Sequence, residues 1–215
     1  ASMATRPDAA PVRSGVAGTT EILAPTLLEY LAVRALRPSG AVVHTGVGLG
    51  RRGCSSGAVG AVVCGLAGGL DPALAPGTIV VPSAVATPDG LSRQCDPALV
   101  SALRDGARAL GFEPRSGPML TAPQLVTGPA RGFWAARGFI AADMETALLP
   151  SGMPVATVRV ILDAVARPIS ERWTTPGAAL GRPGLLSELF WLSWAAPRYA
   201  LRAARVLDAG LARLR

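Results

Sequence analysis

The stretch Cys64 to Val85, CGLAGGLDPALAPGTIVVPSAV, constrains the fold more than any other part of the chain. Gly60 to Cys64 reads as an apolar strand that runs straight into Gly65, Gly68 and Gly69. Turns follow at Asp71-Pro72 and Pro76-Gly77, then a second apolar strand at Thr78 to Val81. A strand without a polar face belongs in a sheet covered on both sides. Glycines at its carboxyl end leave bare backbone against which a small polar ligand can press.

The rest of the pattern agrees. Glu21 to Ala24 reads as a strand, and Pro25 to Leu36 as a helix with Leu27, Leu28, Leu31 and Ala35 on one face. Further strands are expected at Ala41 to His44, Phe139 to Ala142 and Val155 to Leu162, the last apolar except for Arg159. Helices are expected at Pro97 to Leu110 and from Met144 to Leu149. Apolar strands alternating with helices give an α/β fold. With 215 residues, half of them hydrophobic, the chain fills one core. The expected layout is a small, polar, disordered leader over 1–20 and a single domain over 21–215, whose last part, 184–215, is a helical tail.

Composition excludes several classes of function. Three cysteines and one histidine, without ligand spacing, argue against a disulfide framework and a metal site, and fit a cytoplasmic protein. The leader lacks the apolar centre of a signal peptide, and the uncharged run Gly53 to Leu70 is too rich in glycine to span a membrane. The net charge of +7 comes wholly from arginine, which reflects compositional bias as readily as phosphate binding. Aromatic residues are not interleaved with the arginines, so nucleic acid is not an expected partner. Only 16% of residues are charged, and the mean hydropathy of +0.38 points to a buried interface, as in a homo-oligomer, or to an apolar ligand.

In open α/β sheets ligands collect beyond the carboxyl ends of the strands, where this chain places its polar landmarks. Thr45 to Arg52 offers backbone N–H groups and the Arg51 and Arg52 guanidinium groups to an anion, or is a plain turn. In Asp143-Met144-Glu145, Asp143 can cap a helix while Glu145 accepts bonds from sugar hydroxyls; helix-dipole preference alone also favours acids there. Asp163 emerges from an interior strand, where partial desolvation raises its pKa and fits it to act as an acid; otherwise it caps a turn. Glu29 activates water or orients a hydroxyl, or is a solvated helix residue. His44 lacks companions for catalysis.

Taken together these segments resemble the purine nucleoside phosphorylase and 5′-methylthioadenosine/S-adenosylhomocysteine nucleosidase superfamily. CGLAGGLDPALAPGTIVVPS is similar to its strand-glycine-turn-strand segment, HTGVGLG to its earlier glycine loop, AADMETA to its ribose-binding segment and VRVILDAV to the segment bearing its catalytic aspartate. The resemblance covers Glu21 to Ala166 and implies a three-layer fold, a central mixed twisted sheet flanked by helices. It implies that Asp163 protonates purine N7, Glu145 holds the ribose hydroxyls with Met144 packed on the sugar, and Glu29 positions a nucleophilic water. Leu125, Val126 and Gly68 would face the base. Gly48, Arg51 and Arg52 would hold phosphate as co-substrate, and no other cofactor is implied.

Two departures stand out: the connection from Gly50 to Gly60 is too short for the helix expected there, and Leu162 replaces a serine before Asp163. Beyond Ala166, Leu185, Leu186, Leu189, Phe190, Trp191 and Trp194 form an apolar helix expected to break at Pro197, followed by one with Arg198, Arg202 and Arg205 along one side. This tail resembles the hopanoid-associated phosphorylase branch. It implies phosphorolysis of an adenine nucleoside with a large apolar 5′ substituent such as adenosylhopane, and peripheral contact with a membrane surface, unless these helices simply cover the sheet or a subunit interface. The alternatives are a hydrolytic nucleosidase and a catalytically silent nucleoside-binding protein.

Overall fold

The computed structural model of the protein describes residues 19–55, 57–170 and 186–214. β1 (Thr20–Ala24) begins inside the expected leader, whose residues 1–18 lie outside the described ones. Strand β2 (Val42–His44) pairs parallel to β1. The organising element is β3 (Gly60–Gly69), ten residues that continue through Gly65, Gly68 and Gly69 instead of stopping at Cys64. Its glycines are therefore part of the ladder.

The length of β3 lets it serve two neighbours along one edge. β1 pairs parallel to its first half, Thr20 opposite Gly60 to Leu23 opposite Val63, and β8 (Ala141–Asp143) pairs antiparallel to its end, Ala142 opposite Gly68. Along the other edge runs β9 (Val155–Asp163), parallel, from Val155 opposite Ala61 to Asp163 opposite Gly68. Register jumps between Ala67 and Gly68, so that Leu162 is the extra residue of a bulge. Bulges of this kind re-aim the side chain that follows, here Asp163.

Beyond β8 the sheet continues through β7 (Met119–Thr121), β5 (Ala84–Ala86) and β6 (Ser92–Gln94), while β4 (Ile79–Val80) pairs antiparallel to β9. The result is the expected mixed sheet, nine strands flanked by helices. Strands β5, β6 and β7 are three residues each, too short for alternation to reveal them.

Helix α1 (Leu27–Leu36) starts after Thr26, whose Oγ1 accepts the Glu29 N–H at 3.3 Å while the Glu29 carboxylate accepts the Thr26 N–H at 2.7 Å. This capping box turns Glu29 inward, and Val33, four residues on, follows it. The face that carries Leu27 and Leu31 therefore turns outward, at 59% and 55% exposed, whereas Glu29 and Val33 are buried. α2 (Pro97–Ala109) is capped by Asp96, which accepts the Leu99 N–H at 2.9 Å, and it buries Leu99, Val100, Leu103 and Ala107. α3 (Pro129–Ala135) is short and was not legible in the sequence. The helix expected from Met144 is only a 3-10 turn at Thr146–Leu148.

α4 (Leu186–Leu211) is a single helix, with no break at Pro197. Pro197 and Ser193 are both exposed, so the proline ring and the carbonyl it frees meet water. From Ala195 onward α4 buries Tyr199, Ala203, Val206 and Leu207 against α1, α2 and the sheet. A Cβ on Gly106 of α2 would stand 2.7 Å from Gly210 Cα, so glycine sets how closely these helices approach. The expected basic side divides: Arg202 donates to Gly77 O at 2.6 Å, Arg198 lies over Trp194, and Arg205 is exposed. In the first turns Trp191 packs on the core, while Phe190 is 79% and Trp194 55% exposed. Residues 184, 185 and 215 of the tail lie outside the described ones, among which no helix is long and apolar enough to cross a membrane.

Candidate active site

Beside the carboxyl ends of β1 and β8 and the middle of β3 and β9, one buried guanidinium gathers the carboxylates. Arg159, 1% exposed on β9, donates from Nη2 to Asp143 Oδ2 at 2.6 Å and to Glu145 Oε2 at 3.0 Å. Its Nη1 donates to Leu66 O at 3.2 Å and its Nε to Thr157 Oγ1 at 3.1 Å. Burial works against its charge, but Asp143, Glu145 and Glu29 outweigh burial and hold it firmly protonated. Glu29 comes in from α1, where its Oε1 accepts the Leu66 N–H at 2.6 Å and its Oε2 accepts Thr26 Oγ1 at 2.7 Å. Gly65 makes room: a Cβ there would stand 2.6 Å from Glu29 Cδ and 3.1 Å from Arg159 Nη1. The expected solvated alternative for Glu29 is thereby excluded, since the side chain is 3% exposed.

Asp143 is not the helix cap expected of it, because the 3-10 turn that follows starts from Glu145; its carboxylate instead accepts the Thr146 N–H at 3.3 Å and Thr121 Oγ1 at 2.7 Å. Glu145 Oε1 accepts the Gly48 N–H at 3.0 Å, so the glycine loop meets this carboxylate, and half-buried Met144 sits next to it with its carbonyl at 4.0 Å from where a Gly48 Cβ would be. Burial pushes Glu145 above the usual carboxylate range, with Arg159 pulling the other way. Leu49 takes a φ of +60°, a left-handed conformation that a leucine holds only under strain and that concentrates near functional sites.

Asp163 has its own guanidinium. Its Oδ2 accepts a short hydrogen bond from Arg131 Nη2, and its Oδ1 accepts the Ile169 N–H at 3.0 Å. Arg131 lies on α3 and also donates from Nη1 to Gly69 O at 3.0 Å. Asp163 is 3% exposed; burial raises its pKa above 3.8, against the pull of Arg131. A Cβ on Gly68 would be 3.9 Å from Asp163 Oδ2, so this glycine floors the space before the acid. Gly68 also pairs with Ala142 on its other edge, which ties the Asp163 cluster to the Arg159 cluster.

The remaining predicted residues stand apart from these clusters. Arg51 and Arg52 are exposed, their backbone N–H groups bound to Thr45 O, and neither side chain has an ion-pair partner among the described residues. Gly48 is thus brought into the site and the two arginines are not. Leu125 and Val126 are half-buried, and Val126 packs against the cluster of Leu70, Leu120, Ala122 and Ala142. No group of three potential metal ligands occurs among the described residues. Cavities of about 430 and 750 Å³ open beside Cys95 and between β6 and the turn at 151–154, lined by none of the predicted residues. Sequence reading left Arg159 and Arg131 without roles. A lone charge inside an apolar strand could have flagged Arg159; nothing in a helix as short as α3 could have flagged Arg131.

Residues 42–179 match the sequence model of the phosphorylase superfamily, a stretch that contains every predicted site residue except Glu29. The chain belongs to the phosphorylase superfamily. No curated protein sequence matches this superfamily member. Among solved structures it is similar to a Helicobacter pylori MTAN mutant with 5′-methylthioadenosine in its active site, at 14% identity and a TM-score of 0.68, over 92% of this chain and 100% of the other. It is similar to an S-adenosylhomocysteine nucleosidase of Streptococcus pyogenes at 17% identity and a TM-score of 0.68, over 94% and 100%. A futalosine hydrolase of Helicobacter pylori is similar at 14% identity and a TM-score of 0.68, over 90% and 97%. At such identities these likenesses establish the fold of this phosphorylase-superfamily chain.

Proposed function

We propose that this enzyme cleaves the N-glycosidic bond of a purine nucleoside by hydrolysis. The observation that carries the reading is that two buried carboxylates, Glu29 and Asp163, meet the β3 backbone between Gly65 and Gly68, with buried Glu145 tied to the same strand through Arg159. Asp163 gives its proton to N7 as the C1′–N9 bond breaks and its electron pair moves into the purine. The oxygen of a water bonds to C1′, and its proton passes to Glu29. A carboxylate offers about four acceptor positions. Leu66 N, Thr26 N and Thr26 Oγ1 fill three of those on Glu29, which leaves one for the water. Glu145 accepts from the ribose hydroxyls. Placement and protonation do the work, without a covalent intermediate.

Electrostatics favour water over phosphate. Glu29, Asp143 and Glu145 set three carboxylates against the single guanidinium of Arg159, a field that opposes a phosphate dianion at the nucleophile position. The nucleosidases and the hydrolase among the similar structures support the same choice. Incubation with purine nucleosides with and without phosphate tests it: free ribose and base at equal rates in both support hydrolysis, whereas ribose 1-phosphate formed only with phosphate overturns it in favour of phosphorolysis. Base release by the parent, lost in Asp163→Asn, separates an enzyme from a binding protein.

The exposed Leu186, Leu189, Phe190 and Trp194, with Arg198 stacked on Trp194, support a contact of α4 with a membrane surface. Co-sedimentation with anionic liposomes, compared with the Phe190→Ser/Trp194→Ser variant, tests it: equal partitioning removes the support.

A further inference from the structure

We propose that Glu188, in the first turn of α4, is a positioning residue for the proton donor Asp163, acting through the strap of residues 164–170 that leads out of β9. This deepens the N-glycosidic reading and rests on the role given there to Asp163. After Asp163 the chain reverses: Ala164 and Arg167 exchange backbone hydrogen bonds of 3.3 and 2.9 Å, which brings the strap back over the acid. Two consecutive amides of the strap then donate to carboxylates from two different elements. Ile169 N–H reaches Asp163 Oδ1 at 3.0 Å, and Ser170 N–H reaches Glu188 Oε1 at 2.6 Å. A second tie joins the same partners, since the Arg167 guanidinium lies 4.4 Å from the ring centre of Trp191, three residues beyond Glu188 on α4.

The plane of the Asp163 carboxyl, and with it the direction in which its proton leaves, is set by one donor on each oxygen: Arg131 of α3 on Oδ2 and the strap on Oδ1. Arg131 is itself anchored on Gly69 O of the sheet. Ile169 N–H has no such support, because β9 ends at Asp163 and residues 165–168 are exposed. Hydrogen bonds in exposed chain open readily unless a further contact holds them, and Glu188 supplies that contact. Its charge works toward the same end. Arg131 from α3 and Glu188 from α4 are the charges that bear most on Asp163, while β3 faces it with glycine backbone and Arg167 is turned to Trp191. Arg131 favours the ionised acid and Glu188 opposes it, so Glu188 helps to keep the proton on Asp163 until it is delivered.

Amide hydrogen exchange and steady-state kinetics on purine nucleosides test the assignment together. In Glu188→Ala the amides of Ile169 and Ser170 are expected to exchange roughly 5-fold faster while those of β9 keep their rates. The same variant is expected to lose roughly 2- to 10-fold in kcat with KM little changed, the effect of one hydrogen bond. Glu188→Gln keeps an acceptor for Ser170 N–H and loses the charge. It is expected to restore slow exchange and most of kcat, and to move the falling limb of the kcat/KM profile to lower pH by roughly 0.2–0.7 unit. Unchanged exchange at Ile169 in Glu188→Ala, a kcat equal to the parent's in that variant, or a limb that does not move in Glu188→Gln overturns the inference. The limb in Glu188→Gln decides alone if the alanine variant does not fold. A protein that releases base from no nucleoside overturns the glycosidic reading instead, and the exchange arm still judges whether Glu188 holds the strap.

Discussion

Arg159 Nη2 lies 2.6 Å from Asp143 Oδ2, and neither side chain reaches solvent. The same nitrogen reaches Glu145, so one cation offsets two buried charges. Removing one partner of a buried pair leaves the other uncompensated and costs about 3–5 kcal/mol. Arg159→Met is expected to lose that much stability near pH 8 and less near pH 5, where Glu145, raised above its ordinary value by burial, takes up a proton more readily. Adding Asp143→Asn should restore part of it. Urea unfolding at both pH values checks this; a loss under about 1 kcal/mol, the same at both, is what a solvated pair gives and contradicts the burial argument.

Asp163 predicts how activity and stability depend on pH. Burial raises its pKa above 3.8 although Arg131 opposes the rise. As general acid it must carry its proton, so kcat/KM should fall as pH rises through its folded value, and Asp163→Asn should lose about 10²- to 10⁴-fold. Stability follows the same direction: between 3.8 and the folded pKa the native state binds more protons than the unfolded chain, so stability falls as pH rises. Urea midpoints measured across that window should fall less steeply in Asp163→Asn than in the parent.

Much of this architecture was legible because long apolar strands announce themselves. β9 and α2 were found within a residue or two of their ends. Glu29, Glu145 and Asp163 stood out as carboxylates at strand ends, where α/β sheets collect ligands. What escaped was set by tertiary contact. The rotation of α1 is set by its capping box, which buries Glu29 and Val33 and turns Leu27 and Leu31 outward, a choice that the spacing of its leucines does not show. Pro197 marks a break only where its neighbours need the lost hydrogen bond, and here solvent meets them. Arg131 reaches Asp163 from a distant helix too short to show periodicity.

Glu145→Gln should separate ribose binding from structural support. The carboxylate accepts from Gly48 N and Arg159, and the amide keeps the shape while losing the charge. A hydrogen bond to a charged group contributes about 1.5–3 kcal/mol, so kcat/KM on a ribonucleoside should fall roughly 10- to 100-fold. On the 2′-deoxynucleoside, which lacks one partner hydroxyl, the loss should be smaller. Steady-state kinetics on both substrates decide the matter; an equal loss on both leaves Glu145 as a support for Arg159 only.

Gly65→Ala tests whether bare backbone on β3 is what admits Glu29. The added methyl would stand 2.6 Å from Glu29 Cδ, while both Glu29 oxygens are fixed by Leu66 and Thr26. Either the carboxylate leaves and Leu66 N loses its acceptor, or the strand shifts; overpacking of this kind costs about 1–3 kcal/mol. Activity should fall with it, because the acceptor for the water is displaced. Glu29→Ala in the same chain removes the clash, so the double variant should recover stability relative to Gly65→Ala while staying inactive. Unfolding midpoints and base release measured on the parent, both single variants and the double variant close the cycle. If the two substitutions prove additive in stability, the contact between Gly65 and Glu29 is not what limits that strand to glycine.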